Sequence, residues 1–219
     1  MDNQWKDSLG AEADALGQRL DRAQIDALSG HVDLLLKWNA KLNLTRITSD
    51  QELRVKHVLD SLLALAVVPR TATSVLDLGS GGGFPGVPWL VARPELSVTM
   101  VDAVQKKVSF LKTVLASLQL LHGRATHTRL AGVPLAEGLE PASVVTSRAF
   151  TSLGEFLRFS RPYLAPAGCV VAFLGASVGR GAAEQVALAE EFDVVEVRSI
   201  TLPHGLGSRV VVRAVPRGT

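Results

Sequence analysis

Residues 74–88, SVLDLGSGGGFPGVP, constrain the fold of this chain more than any other stretch. Ser74 to Leu78 is a short apolar run carrying Val75, Leu76 and Leu78, the pattern of a buried strand. The run stops at Gly79-Ser80-Gly81-Gly82-Gly83. Glycines permit the positive φ angles of a tight strand-to-helix turn, and they remove side chains that would hold a ligand off the backbone. Four glycines in five residues lose more conformational entropy on ordering than packing alone demands, so the stretch reads as a site. Pro85 and Pro88 suit the first turn of a helix, where no N–H is needed. A helix start behind a glycine loop is expected to present free N–H groups and a positive dipole end to a nucleotide or nucleoside, at the carboxyl end of a strand.

Two fingerprints overlap in this stretch. Gly81, Gly83 and Gly86 fit G-x-G-x-x-G, the dinucleotide pattern. Asp77, Gly79, Gly81 and Gly83 fit D-x-G-x-G-x-G, the pattern of S-adenosylmethionine (SAM) methyltransferases. Asp102 lies nineteen residues after Gly83, at the end of the apolar run Leu96, Val98, Met100 and Val101. An acid at a second strand end can accept both ribose hydroxyls. That spacing serves NAD and SAM equally and leaves the cofactor open at this point.

The 219 residues, 47% of them apolar, suffice for one α/β domain with a helical extension. Cys169 is the single cysteine, which rules out an intramolecular disulfide and argues against a zinc cluster; no metal is expected. The start, MDNQWKDSLG, lacks the basic and apolar regions of a signal peptide, and no run of about eighteen apolar residues exists, so a cytoplasmic protein without a membrane span is expected. The net charge is only +2, but it is uneven. Residues 1–36 carry seven acids against three bases. Residues 103–129 carry Lys106, Lys107, Lys112, Arg124 and Arg129 without an acid, and 197–219 carry Arg198, Arg209, Arg213 and Arg217 without an acid. Two basic stretches suggest a polyanionic partner; the alternative is a pair of solvated faces.

Ile25, Leu28, Val32, Leu35 and Leu36 recur at helical spacing and predict a helix over 22–43. Ser49 with Glu52 forms a capping box for a second helix carrying Leu53, Val58, Leu59, Leu62 and Leu63, which ends before Pro69. Lys37, Lys41, Arg46, Arg54, Lys56 and His57 are expected on the exposed side, and His57 and Asp60, three apart, as a structural pair. The predicted division is a helical extension over 1–70 and a Rossmann-like core over 71–219. In the core, strands are predicted near 74–78, 96–102, 124–129, 143–147 and 169–174, and helices near 85–93, 104–120, 152–163 and 179–190. Residues 193–202 and 208–215 follow without an intervening helix and read as an antiparallel hairpin. A mostly parallel seven-stranded sheet finished by a hairpin is the usual sheet of class I SAM methyltransferases, which turns the cofactor question toward SAM.

The chemistry is narrowed by what is missing. Cys169 begins an apolar strand and has no proline before it, so it suits core packing better than nucleophilic attack on a cytosine. There is no Asn/Asp-Pro-Pro-aromatic motif of amino-group methylation, and no Tyr-x-x-x-Lys pair of a short-chain dehydrogenase. An acceptor that needs no deprotonation fits this set, and guanine N7, with its in-plane lone pair, is one; the enzyme then only aligns the reactants. Ser147-Arg148-Ala149-Phe150 closes the fourth predicted strand on the same sheet edge as Gly79, where Arg148 can bind a carboxylate, a phosphate or guanine O6, or pair with a rim acid.

Residues from about 30 to 215 resemble the RsmG (GidB) family of small-subunit ribosomal RNA guanine-N7 methyltransferases. The matching words are Lys37-Trp38-Asn39 with Asn43-Leu44-Thr45, His57-Val58-Leu59-Asp60-Ser61, the whole of Asp77 to Pro88, and Ser147-Arg148-Ala149-Phe150. The resemblance implies SAM contacts at Gly79, Phe84, Leu130-Ala131 and Arg148, and a guanine of 16S ribosomal RNA as acceptor. Leu174-Gly175, Arg209-Val210 and Leu130-Ala131-Gly132 stand where the family often has Lys-Gly, Arg-His and an acidic residue. The last departure implies an adenine held by backbone and apolar contact. Together these readings give Arg148 as catalytic residue, and Asp77, Gly79, Gly81, Gly83, Phe84, Asp102, Leu130, Ala131 and Arg148 as cofactor contacts. Arg54, Lys56, His57, Lys106, Lys107 and Arg209 are the expected RNA contacts of a monomer. A SAM enzyme with another RNA or a small-molecule acceptor, or an NAD(P)-binding oxidoreductase, are the alternatives.

Overall fold

Alternating apolar runs and amphipathic stretches after residue 74 fold into one sheet in the computed structural model, which describes residues 1–150 and 152–218. Its strands are β1 (Ser74–Leu78), β2 (Ser97–Asp102), β3 (Gly123–His127), β4 (Ala142–Ser147), β5 (Leu164–Gly175), β6 (Phe192–Thr201) and β7 (Ser208–Pro216). The spatial order is β3-β2-β1-β4-β5-β7-β6. The first five strands are parallel, and β7 runs antiparallel to both β5 and β6, so the chain closes with the expected hairpin. From β1 the chain winds outward through β2 and β3, then crosses back to β4. The gap between the carboxyl ends of β1 and β4 is therefore the topological switch point, where open α/β sheets bind ligands. β5 starts earlier than expected, because Leu164 already pairs with Ala142 across a register shift.

The helices are α1 (Asn3–Ala15), α2 (Arg22–Leu42), α3 (Asp50–Glu52), α4 (Asp60–Ala64), α5 (Gly86–Ala92), α6 (Gln105–Ser117), α7 (Leu153–Ser160) and α8 (Arg180–Ala189). The predicted second helix is one continuous helical run in which a π-helical segment, Leu53–Leu59, joins α3 to α4. The helix α1 escaped the sequence reading. Its signal is present: Asp2 caps it, and Trp5, Leu9 and Ala13 recur every fourth residue and are buried, although Gly10 interrupts the propensity.

Residues alternate between two cores, as a pleated sheet requires. Val75, Val98, Met100 and Val144 face a core shared with α1, α2, α5, α6 and the run from Leu53 to Val67. Leu76, Leu78, Val101 and Val145 face the core of α7 and α8. The N-terminal helices thus pack on the same sheet face as α5 and α6, which brings them against the glycine turn. Most of the N-terminal acids are used locally: Asp2 and Asp21 cap helices, while Glu12, Asp26 and Asp33 pair with Arg54, Lys6 and the N-terminal amine.

Candidate active site at the carboxyl end of the sheet

The glycine turn adopts the backbone its composition predicts, with φ of +76° at Gly79, +56° at Gly81 and +86° at Gly83. Each glycine answers a different neighbour. A Cβ on Gly79 would lie 2.9 Å from Cβ of Ala149, so β1 and β4 approach closely at the switch point. A Cβ on Gly83 would meet Val87, His31 and Leu111, so Gly83 is a helix-packing position and not a ligand wall. Gly81 faces open space apart from a carbonyl oxygen 3.9 Å away.

The expected helix N-terminus does not serve a ligand. The Gly86 N–H donates to Oδ2 of Asp77 at 3.2 Å, and the Val87 N–H to the Gly83 carbonyl at 2.8 Å. Asp77, expected as a cofactor contact, is completely buried and braces the turn from beneath. Burial pushes its carboxyl up to about 7, against the opposing pull of the Gly86 hydrogen bond. Asp102 holds the turn from the side, accepting from the Gly81 N–H at 3.0 Å and the Val104 N–H at 2.8 Å. A carboxylate offers about four lone pairs, so two remain for ribose hydroxyls.

From the other flank, α2 supplies a residue the sequence reading missed. His31 lies on the buried strip of α2 between Leu28 and Leu35, and its Nε2 hydrogen-bonds the Gly82 carbonyl at 2.8 Å. Burial lowers it to about 4, so it is neutral and donates from Nε2. Phe84, expected to touch the cofactor, is clamped between His31 and His57, with ring centroids 4.6 Å apart on each side. Its ring therefore anchors the turn to the N-terminal helices.

The cleft beside this turn has a volume of about 330 Å³ and is walled by Gly79, Asp102, Leu130, Ala149 and Phe150, among others. A second hollow of about 480 Å³ shares Ala149, Phe150 and Phe159 with it and continues past Ala131 and Gly132. In this 130–133 segment the Ala131 and Val133 N–H groups donate to Oε1 of Glu137, at 2.7 and 3.1 Å. The Gly132 N–H donates to the Tyr163 hydroxyl at 2.8 Å, which itself donates to Oε2 of Glu137 at 2.7 Å. Burial works against ionising Glu137, but these donors outweigh it and hold its carboxyl below the usual range. The backbone donors expected for adenine at Ala131 are thus spent within the protein, and apolar contact with Leu130 is what the segment offers.

Arg148 leaves the end of β4 toward the N-terminal helices. Its Nη2 donates to the Lys56 carbonyl at 3.1 Å and lies 3.3 Å from Oδ2 of Asp60, while Nη1 is buried without a protein partner. Arg209 of β7 approaches the same Asp60 oxygen at 3.3 Å. Burial raises the Asp60 carboxyl, and the two guanidiniums oppose that rise. Asp60 therefore pairs with two arginines and not with His57. His57 instead shares a 2.8 Å hydrogen bond with the Thr45 hydroxyl. Burial, helped by the charge of Arg148, lowers His57 to about 3.

Four of the expected RNA contacts are engaged within the protein. Arg54 is not exposed: its guanidinium is bidentate to Glu12 at 2.7 and 2.9 Å, with the side chain 11% accessible. His57 is neutral and stacked, Arg209 is held by Asp60, and Lys56 reaches Glu52 at 2.5 Å. Lys106 is exposed at the start of α6, and half-buried Lys107 lies 3.9 Å from Asp102. Among the described residues no group of three or more His, Cys, Asp or Glu could hold a metal, and no helix is long and apolar enough to cross a membrane.

SAM fits this site on three counts. The bare backbone of Gly79 lines the cleft, Asp102 retains acceptor capacity at its wall, and Arg148, next to the cleft residue Ala149, keeps a buried donor without a protein partner. Solved structures share the fold: a glycopeptide N-methyltransferase, MtfA, complexed with SAM superposes with a TM-score of 0.57 at 12% identity, covering 73% of this chain and 94% of that one. A precorrin-6y C5,15-methyltransferase from Geobacter metallireducens gives 0.53 at 15% identity, covering 80% and 91%. Sequence relatives are much nearer. A ribosomal RNA small subunit methyltransferase G from Myxococcus xanthus is 42% identical over 212 residues, covering 96% of this chain and 97% of that protein. One of the same name from Leptothrix cholodnii is 41% identical over 216 residues, covering 97% and 96%. A family model described as rRNA small subunit methyltransferase G matches residues 24–209, which include the helices that clamp the glycine turn and strands β1 to β6. With the turn, its helical clamp and nearly full-length relatives in agreement, the chain belongs to the rRNA small subunit methyltransferase G family.

Proposed function

We propose that this protein transfers the methyl group of SAM to N7 of a guanine in 16S ribosomal RNA. The observation that carries the reading is the cleft at the β1–β4 switch point, walled by the glycine turn and Asp102, in a chain of this family. SAM supplies a methyl group activated by a sulfonium. Asp102 binds the ribose hydroxyls with the lone pairs left over from the Gly81 and Val104 amides. Leu130 and Phe150 cover the adenine and exclude water. Arg148, fixed by Asp60 and the Lys56 carbonyl, turns its remaining Nη1 donor to the methionine carboxylate.

No proton has to leave guanine N7 before it attacks, so alignment and desolvation are the whole task of the protein. The neighbouring titratable groups agree with that. His57, at about 3, is too weak a base to serve near neutrality, and Asp77, at about 7, is sealed beneath the turn. Mapping 7-methylguanosine on 16S RNA from a strain lacking the gene tests the reading. One N7 methyl group should vanish and return with the wild-type gene; an unchanged methylation map refutes it.

A further inference from the structure

Two segments far apart in sequence run side by side at the rim of the cleft. A Cβ on Gly30 of α2 would lie 2.9 Å from Cδ2 of Leu118, just past α6, and Trp38 of α2 meets the ring of Phe110 in α6 at 5.9 Å. Eight residues forward along α2 thus correspond to eight backward along α6, so the helices are antiparallel and matched in rise. One further turn brings Lys41, near the end of α2, level with Lys106 at the start of α6. Since α6 begins three residues after Asp102, this junction stands beside the ribose wall of the cleft.

Lys37 and Lys41 are four apart on one face of α2, and both are exposed, as is Lys106. None of the three has a charged partner among the described residues, and neither 34–49 nor 103–129 contains an acid. The contrast with Arg54, Lys56 and Arg209 is direct, since each of those is neutralised by Glu12, Glu52 or Asp60. Uncompensated cations on a surface create the potential that a phosphate backbone complements. We propose that Lys37, Lys41 and Lys106 form the ridge on which the RNA backbone lies while its guanine enters the cleft. This inference rests on RNA being the substrate.

Equilibrium binding of a 16S RNA transcript across a salt series tests it, comparing wild type with the triple variant Lys37→Gln, Lys41→Gln, Lys106→Gln. Each phosphate contact contributes about 0.7 to 0.9 to the slope of log affinity against log salt, so losing three should flatten the slope by roughly 2. SAM affinity and melting temperature should stay at wild-type values. A second basic surface, the separate hollow lined by Arg19, Arg70 and Arg198, is the control. An unchanged slope in the lysine variant, or equal flattening by Arg19→Gln, Arg70→Gln, Arg198→Gln, overturns the ridge. Methyl transfer by the wild type to the same transcript is measured separately. A ridge-dependent slope without transfer would refute the reaction and leave the ridge standing; transfer with an unaffected slope would do the reverse.

Discussion

Two sets of basic residues in this chain have opposite fates. In 197–219, Arg209, Arg213 and Arg217 are paired with Asp60, Glu196 and Asp193. Along α2 and α6, Lys37, Lys41, Lys106 and Lys112 meet no acid among the described residues. The first set ties β7 to α4 and to β6, and the second leaves its charge to solvent or a ligand. A charge run thus announces a polyanion partner only after its internal partners have been subtracted, and those partners lie up to 149 residues away.

The largest effect should come from breaking the paired side at its hub. Asp60→Ala strands Arg148 and Arg209 without a counter-charge in a buried setting, and breaking such a cluster costs about 3–5 kcal/mol. Urea unfolding should show a lowered midpoint with an unchanged slope; a stability within 1 kcal/mol of wild type would mean that Asp60 is not the hub.

Arg148→Lys comes next. Lysine keeps the charge facing Asp60 but loses the planar fork that holds the Lys56 carbonyl and leaves Nη1 as a second donor. Turnover should fall tenfold or more, about 1.4 kcal/mol of transition-state stabilisation, and SAM affinity should fall with it. Normal turnover would reduce Arg148 to a structural arginine. Lost turnover with intact SAM affinity would move it from the cofactor to the guanine.

The clamp on the glycine turn predicts a smaller, pH-dependent effect. His31 stays neutral in the fold with a pKa of about 4, against an ordinary value of 6.5. Between those values the unfolded chain binds the proton and the folded chain does not. The stability that depends on neutral His31 is therefore complete above about 6.5 and is lost as pH falls toward 4. Asp77, raised to about 7, works in the opposite direction, losing its contribution as pH rises from about 4 to 7. Comparing wild type with His31→Gln cancels Asp77. Their stability difference should shrink by about 1 kcal/mol between pH 7 and 5.5, and a constant difference would mean that His31 does not titrate as described. The smallest effect is expected for Arg213→Gln, whose ion pair with Glu196 is partly solvated. Stability should change by less than about 1 kcal/mol, and the salt dependence of RNA binding not at all.

What the sequence revealed divides along the same line. Local signals carried far: β1 was placed to the residue, and the terminal hairpin followed from two strand patterns with no helix between. The glycine turn was placed correctly, but its inner wiring was not. Whether the Gly86 N–H meets a ligand or Asp77 depends on a contact that no spacing rule encodes. His31 was legible only as a polar residue on the apolar strip of α2, and its target, the Gly82 carbonyl, lies 51 residues on. Arg54 resembled its exposed neighbours until α1 supplied Glu12, and α1 itself was hidden by a weak periodicity broken at Gly10.

One measurement addresses the central claim most directly. The purified protein is incubated with SAM labelled in its methyl group and with small ribosomal subunits, or their naked 16S RNA, from a strain lacking the gene, and the RNA is digested to nucleosides. The account predicts that the label appears in 7-methylguanosine, at no more than one per 16S molecule. Label in any other nucleoside, or none with either substrate, would contradict it.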